Sequence, residues 1–143
     1  RSSDLTSASS FGTYSYRYTG TTTAVTSTTG LMVGLSYSFT PATSGAVSVN
    51  MNFGSSASST GSLHTFNLRY GTGTAPTNGA ALAGTVTGTM SNRQPGTTVT
   101  IPTGLNTIVT GLTVGTTYWF DISVAASAGN SQVTTVNANF REM

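Results

Sequence analysis

Apolar residues recur at every second position in short runs along the chain, and glycine, serine, proline and asparagine separate the runs. Period-two alternation marks a half-buried strand, because successive side chains of a strand point to opposite faces. Tyr14 to Tyr18 sets three tyrosines on one face. Leu35 to Phe39 repeats the pattern until Pro41 ends it. Val47 to Phe53 alternates four apolar residues with polar ones, and Phe66 to Tyr70 does the same over a shorter span. Val86 and Met90 belong to a weaker run, Val99 to Ile101 stops at Pro102, and Thr107 to Thr110 is short. Tyr118 to Val124 is the strongest apolar run, and Val133 to Phe140 is the last. That makes about nine strands at close intervals. The expected fold is all-β, an antiparallel β-sandwich or jelly roll of about eight to ten strands.

Composition removes the helical alternative. Of 143 residues, 30 are Thr, 20 are Ser and 17 are Gly, all weak in helix interiors, whereas Glu occurs once and Lys never. The length suits one domain. We assign it to residues 11–143, behind a Ser-rich stretch at 1–10 that reads as a linker or as an arm that frays or contacts a neighbouring protein. Three polar stretches are expected to be loops: Ser55 to Ser62, Gly71 to Gly79 with its Asn78-Gly79 turn signal, and Ser91 to Gly96.

Charge narrows the partners. Five Arg face three acids, for a net charge of +2, and the Arg are scattered. Nucleic-acid binding wants clustered cations, so no nucleic-acid partner is expected. No run approaches the roughly 18 apolar residues of a membrane span, so no membrane insertion is expected. The start, Arg1-Ser2-Ser3-Asp4, has no signal-peptide design, and the missing initiator Met suggests a processed product or an excised fragment. With no Cys, the chain has no disulfide, thiolate or Cys-ligated zinc.

Few residues carry chemistry. His64 offers a metal ligand or a base, but it has no second His, so a surface position at a strand edge is expected. Asp121 falls on the polar phase of its run and is expected to pair with an Arg, such as Arg69 or Arg141. A glycosidase needs two carboxylates facing one bond, for which Asp121 and Glu142 are the candidates. A catalytic triad needs a His held by an acid, and no such pair stands out. No Lys or helix follows Gly71-Thr72-Gly73, so it is a turn rather than a phosphate loop. No catalytic residue, metal site or cofactor is expected. Asn92, Arg93 and Gln94 are the candidate partner-contact residues, because amide and guanidinium groups fork onto sugar hydroxyls or carboxylates.

One local motif is specific. Gly111-Leu112-Thr113-Val114-Gly115-Thr116-Thr117-Tyr118 leads into the strongest run and resembles the tyrosine corner of fibronectin type III and related sandwiches. That resemblance implies that Leu112 plugs the core, Gly115 turns the chain and the Tyr118 hydroxyl bonds upstream backbone.

A wider resemblance covers residue 31 to the end. It rests on Gly34 to Phe53 with its turn at Thr40 to Gly45, on Leu68 to Gly79, and on Ala83-Gly84-Thr85. It continues through Ile108 to Leu112, Gly115 to Asp121, and the end at Glu142-Met143. In order and spacing these segments resemble a C-terminal domain of tailed-bacteriophage virion proteins: fibre tips, needle knobs and head spikes or decoration proteins. The resemblance implies a homotrimeric jelly roll similar to a tumour-necrosis-factor-type head. It also implies a place on the virion surface after assembly in the host cytoplasm, and contacts with other capsid or tail proteins. The first expected function is host-surface attachment as a fibre or spike head that touches a host glycan or protein. The alternatives are capsid decoration and, last, a polysaccharide-active enzyme. No functional residue transfers with the motifs.

Overall fold

The computed structural model describes the backbone of residues 13–17 and the whole of residues 27–143. The expected arm at 1–10, and Tyr18, lie outside them. Among the described residues nine strands are found: β1 (Thr13–Arg17), β2 (Leu31–Met32), β3 (Tyr37–Phe39), β4 (Val47–Ala57), β5 (Leu63–Gly71), β6 (Thr85–Arg93), β7 (Ile101–Val109), β8 (Tyr118–Ala126) and β9 (Ser131–Glu142). No helix occurs among the described residues.

The strands form two antiparallel sheets. The first has the order β1-β9-β4-β7, and the second has the order β2-β8-β5-β6, with β3 also on β8. The chain crosses between sheets after β1, β3, β4, β6, β7 and β8, so neighbours within a sheet are mostly distant in sequence. That is the strand order of a jelly roll.

Alternation makes the core. Along β4, Val47, Val49, Met51, Phe53, Ser55 and Ala57 point inward. From the second sheet, Phe66, Leu68, Phe120, Ile122 and Val124 face them. Phe140 gathers the aromatic centre, 4.9 Å from Phe120 and 6.1 Å from Phe39 between ring centroids. Burying one such side chain contributes about 1.5–3 kcal/mol. On β9 the alternation changes phase at Thr135, which has φ of 48° and lies at a register shift against β4. The bulge explains why Val133 and Val136, three apart, both face the core.

Three segments differ from expectation. Residues 99–101 and 107–110 are not two short strands, because β7 runs unbroken through Pro102. An edge strand tolerates proline, and β7 pairs only with β4. The loop expected at 55–62 begins only after Ala57, because β4 keeps its alternation through two serines and an alanine. The loop expected at 91–96 is strand as far as Arg93.

The second sheet carries a cover. Residues 72–84 run as a strap over its outer face. Gly79 N donates to Met32 O and Met32 N to Ala80 O, both at 2.9 Å. Asn78 Nδ2 donates to Val33 O at 2.9 Å, and Trp119 Nε1 to Thr72 O at 3.2 Å. Gly34, with φ of 85°, sits where the strap presses hardest: a Cβ there would lie 2.4 Å from the Asn78 nitrogen.

Candidate functional site

Asp121 is on β8, in phase with the outer face of the second sheet as its alternation predicts. The chain at Gly34 and Leu35 lies against its carboxylate, with the strap packed on Gly34 in turn, and Asp121 is fully buried. It forms no pair with Arg69 or Arg141. Instead it accepts backbone N–H groups from Gly34 at 2.8 Å, Leu35 at 2.9 Å and Ile122 at 2.8 Å. The first two donors come from the break between β2 and β3, and the third is the next residue on β8. Burial pushes the carboxyl up to about 6, while the N–H groups of Leu35, Gly34 and Ile122 pull the other way. Arg69, opposite Asp121 in register, turns its Nε to Ser123 Oγ at 2.8 Å. Arg141 is exposed on β9.

Glu142 ends β9 with its side chain turned inward. Oε1 accepts the N–H groups of Ala42, Thr43 and Ser44 at 2.9, 2.7 and 2.6 Å, so one carboxylate organises the turn between β3 and β4. Burial alone raises this carboxyl. The backbone donors of Ser44, Thr43 and Ala42 outweigh it, and Glu142 lies below the usual glutamate value. Asp121 and Glu142 therefore serve two separate turns and do not face a common space.

At this same end, which we call the base, Thr113 N donates to Tyr118 Oη at 2.8 Å across the corner. Leu112 is buried, and Gly115, with φ of 85°, donates its N–H to Pro41 O at 2.8 Å.

The opposite end, the tip, holds His64. It is not a surface residue: its exposure is 0%. Its Nδ1 lies 3.1 Å from Ser131 Oγ and 3.4 Å from Ser55 Oγ. Gln94, also fully buried, donates Nε2 to Ser55 Oγ and to Asn92 Oδ1, both at 2.9 Å. His64 Nε2 and Gln94 Oε1 have no hydrogen-bond partner. Burial holds the imidazole below its ordinary value. A histidine between two serines has the ingredients of a nucleophile. These serines are closed to solvent, however, and no carboxylate orients the ring among the described residues.

The candidate contact residues do not form one exposed loop. Asn92 and Arg93 end β6, and Gln94 turns into the core. Asn92 Nδ2 donates to Thr103 Oγ1 at 3.1 Å, and Arg93 to Gly61 O at 2.7 Å, so all three hold the tip together. Period two carried the missing signal. Ser55 is in phase with Phe53, and His64 with Phe66 and Leu68, which puts both inside.

The surface that remains is sparsely charged: among the described residues it carries exposed Arg93 and Arg141 and is otherwise neutral. A groove of about 300 Å³ at the tip is lined by Ser56, Ala57, Ser58, Thr97, Asn130 and Gln132. On the outer face of the first sheet, Asn106, Asn50 and Asn139 stand in register across β7, β4 and β9, with Asn52 beside Asn137 in the next row. Hydroxyls and carboxamides both donate and accept, so these surfaces fit neutral polar partners. No cluster of metal-ligating side chains occurs among the described residues.

No protein-family model matches the chain. No curated relative matches it either. Two solved structures are similar in part. A structure of infectious bursal disease virus, Gt strain, aligns over 92% of this chain and 30% of its own, with 13% identity and a TM-score of 0.48. A structure of the tumour necrosis factor Eiger from S. frugiperda aligns over 78% of this chain and 64% of its own, with 9% identity and a TM-score of 0.37. The chain thus spans less than two thirds of either, and its own strand order defines the fold: a two-sheet antiparallel jelly roll.

Proposed function

We propose that this chain is a virion-surface module of a tailed bacteriophage, the trimeric head of a fibre or spike, which meets the host surface through neutral polar contacts. One observation carries the reading: both described carboxylates and the sole imidazole are consumed inside the fold as structural groups. What remains for a partner, apart from Arg141 exposed on β9, is hydroxyl and carboxamide, chiefly at the tip groove. The sequence resemblance from residue 31 onward supports the virion context. The trimer draws support from β6 and β7, two sheet edges side by side without Lys, Asp or Glu, which expose Val86 and Ile108. Edges of that length with one charge, Arg93 at the end of β6, are templates for a neighbour. Polysaccharide cleavage is not proposed, because Asp121 and Glu142 flank no common bond.

The test is binding of the trimer, or of particles that carry it, to host cells at low and high salt. Thr97→Ala and Gln132→Ala supply the groove variants. Binding that survives salt and falls in the variants supports the reading. Loss of binding on modest salt addition overturns it, because a neutral contact is not screened. Binding to undecorated capsids and not to cells assigns the decoration role instead.

A further inference from the structure

The buried cluster at the tip has no part in the attachment proposed above. Its members come from four places in the chain: Ser55 near the end of β4, His64 near the start of β5, Gln94 just after β6, and Ser131 at the start of β9. Three turns meet over it. The turn at 58–62 is clamped by Gly61 N to Gln94 O at 2.7 Å and Gln94 N to Ser62 O at 2.9 Å. The turn at 127–130 is clamped by Ser127 N to Leu63 O at 2.9 Å and Ser58 N to Asn130 O at 3.1 Å. The segment after Gln94 is the third. The cluster thus sits beneath the contacts that close the tip.

Every polar atom around His64 is neutral. Nδ1 has two serine hydroxyls within reach, while Nε2 has no partner. A protonated imidazole donates from both nitrogens, so its Nε2–H would find no acceptor. Nor, among the described residues, is there an anion to balance the charge. Among the described strands, β4 and β7 contain no titratable residue. β8 brings Asp121 and Tyr118, and Asp121 lies five positions beyond the residue opposite His64, roughly 17 Å along the strand. β9 brings Arg141 and Glu142, ten or more positions from Ser131, at the base. β5 adds Arg69 and Tyr70, toward the base. The nearest charged side chain in the chain order of these strands is Arg93 at the end of β6, itself a cation, bound to Gly61 O. On the ring's face is Phe66, edge-on at 6.0 Å.

We propose that Ser55, His64, Gln94 and Ser131 form an acid-sensitive latch, which keeps the three tip turns closed at neutral pH and releases them when His64 takes up a proton. The closed tip accommodates only the neutral ring, and the opened tip hydrates it. An opened imidazole has its ordinary value near 6.5, so the opening equilibrium grows as pH falls below it, by up to about 30-fold between pH 7.5 and pH 5. The latch needs no ligand in the groove and stands or falls apart from the attachment function.

Hydrogen exchange on the intact protein tests it. Protection of the Ser58, Gly61, Gln94 and Ser127 amides, corrected for intrinsic rates, is expected to drop at least tenfold from pH 7.5 to pH 5. Protection of the Leu112 amide at the base is expected to hold. In His64→Gln, which keeps a neutral polar side chain, the pH dependence at the tip disappears. Unchanged tip protection in the wild type, or a drop that persists in His64→Gln, overturns the proposal. If that variant does not fold, the wild type still decides, because His64 is the sole histidine. Its imidazole resonance is expected to titrate below 6.5 and together with tip opening. Titration near 6.5 while the tip amides stay protected overturns the latch.

Discussion

Asp121 accepts the backbone N–H of Gly34 at 2.8 Å across 87 positions of the chain. The contact explains why one edge of the second sheet is two short strands and not one. β2 and β3 both pair with β8, and between them the chain bends outward at Gly34 and Ser36, both at positive φ. The bend would leave the N–H groups of Gly34 and Leu35 without ladder partners, and the carboxylate supplies them.

A buried carboxyl held up at about 6 ties stability to pH. The folded state binds this proton more tightly than the unfolded chain, whose value is 3.8, so this group's contribution falls as pH rises from about 4 to about 6. Asp121→Asn removes that term. The wild type is expected to gain about 2 kcal/mol relative to the variant on going from pH 7.5 to pH 4.5. Urea midpoints of both proteins at the two pH values check it. A wild-type–variant gap that does not change with pH refutes it.

Glu142 acts with the opposite sign. Its carboxyl lies below the usual glutamate value of 4.5, so its stabilisation is present above that value and is lost as pH falls through the folded one. Glu142→Gln weakens three charge-assisted bonds to the 42–44 turn and is expected to cost about 1–3 kcal/mol at pH 7. The cost should shrink as pH falls through the folded value and the wild-type group becomes neutral too. Thermal unfolding at pH 7 and along a descending pH series measures both parts.

Tyr118→Phe removes the acceptor of the Thr113 N–H while leaving the buried ring in place. The expected loss is about 1–2 kcal/mol, near the lower end because Thr113 is exposed and water replaces part of the bond. An unfolding midpoint identical to wild type would show that the corner bond contributes nothing.

The inner faces were legible in the sequence and the outer covers were not. Val47 to Phe53 and Tyr118 to Val124 show their buried sides by period two alone. His64 and Ser55 follow the same rule, although the lack of a second His and the neighbouring Ser/Gly stretch argue for the surface. The strap was hidden for a different reason. Nothing local in Gly71 to Gly79 states that it folds back over Trp119 and Gly34, because that placement depends on Met32 and Val33, some forty positions upstream. Asp121 was correctly placed on the outer phase of β8, and only the chain at Gly34 and Leu35, with the strap packed on Gly34, turned that phase into interior. Pro102 misled by a similar route. Proline stops a central strand but is tolerated on an edge, and the edge position of β7 is a property of the sheet order.

The trimer makes the last prediction. The flank between β6 and β7 is closed within the subunit by side-chain links, Thr107 Oγ1 to Thr87 O at 2.8 Å and Asn92 Nδ2 to Thr103 Oγ1 at 3.1 Å, and not by a backbone ladder. Beyond those links the flank exposes Ile108 at 56% and Val86 at 45%, and neither strand has a carboxylate or a lysine to repel a neighbour. The sedimentation mass at micromolar concentration is expected to be three times the 14.5 kDa of one chain. Ile108→Asp places a charge where a neighbour's surface would bury it, an expensive step without a partner cation. It should lower the mass to the monomer while leaving circular dichroism unchanged, since Ile108 contributes little to its own core. Two outcomes would overturn the trimer: a wild-type mass of 14.5 kDa, or another multiple of it. A trimer that survives Ile108→Asp would move the interface away from this flank, to the asparagine rows of the first sheet, where Asn50→Arg is the matching test.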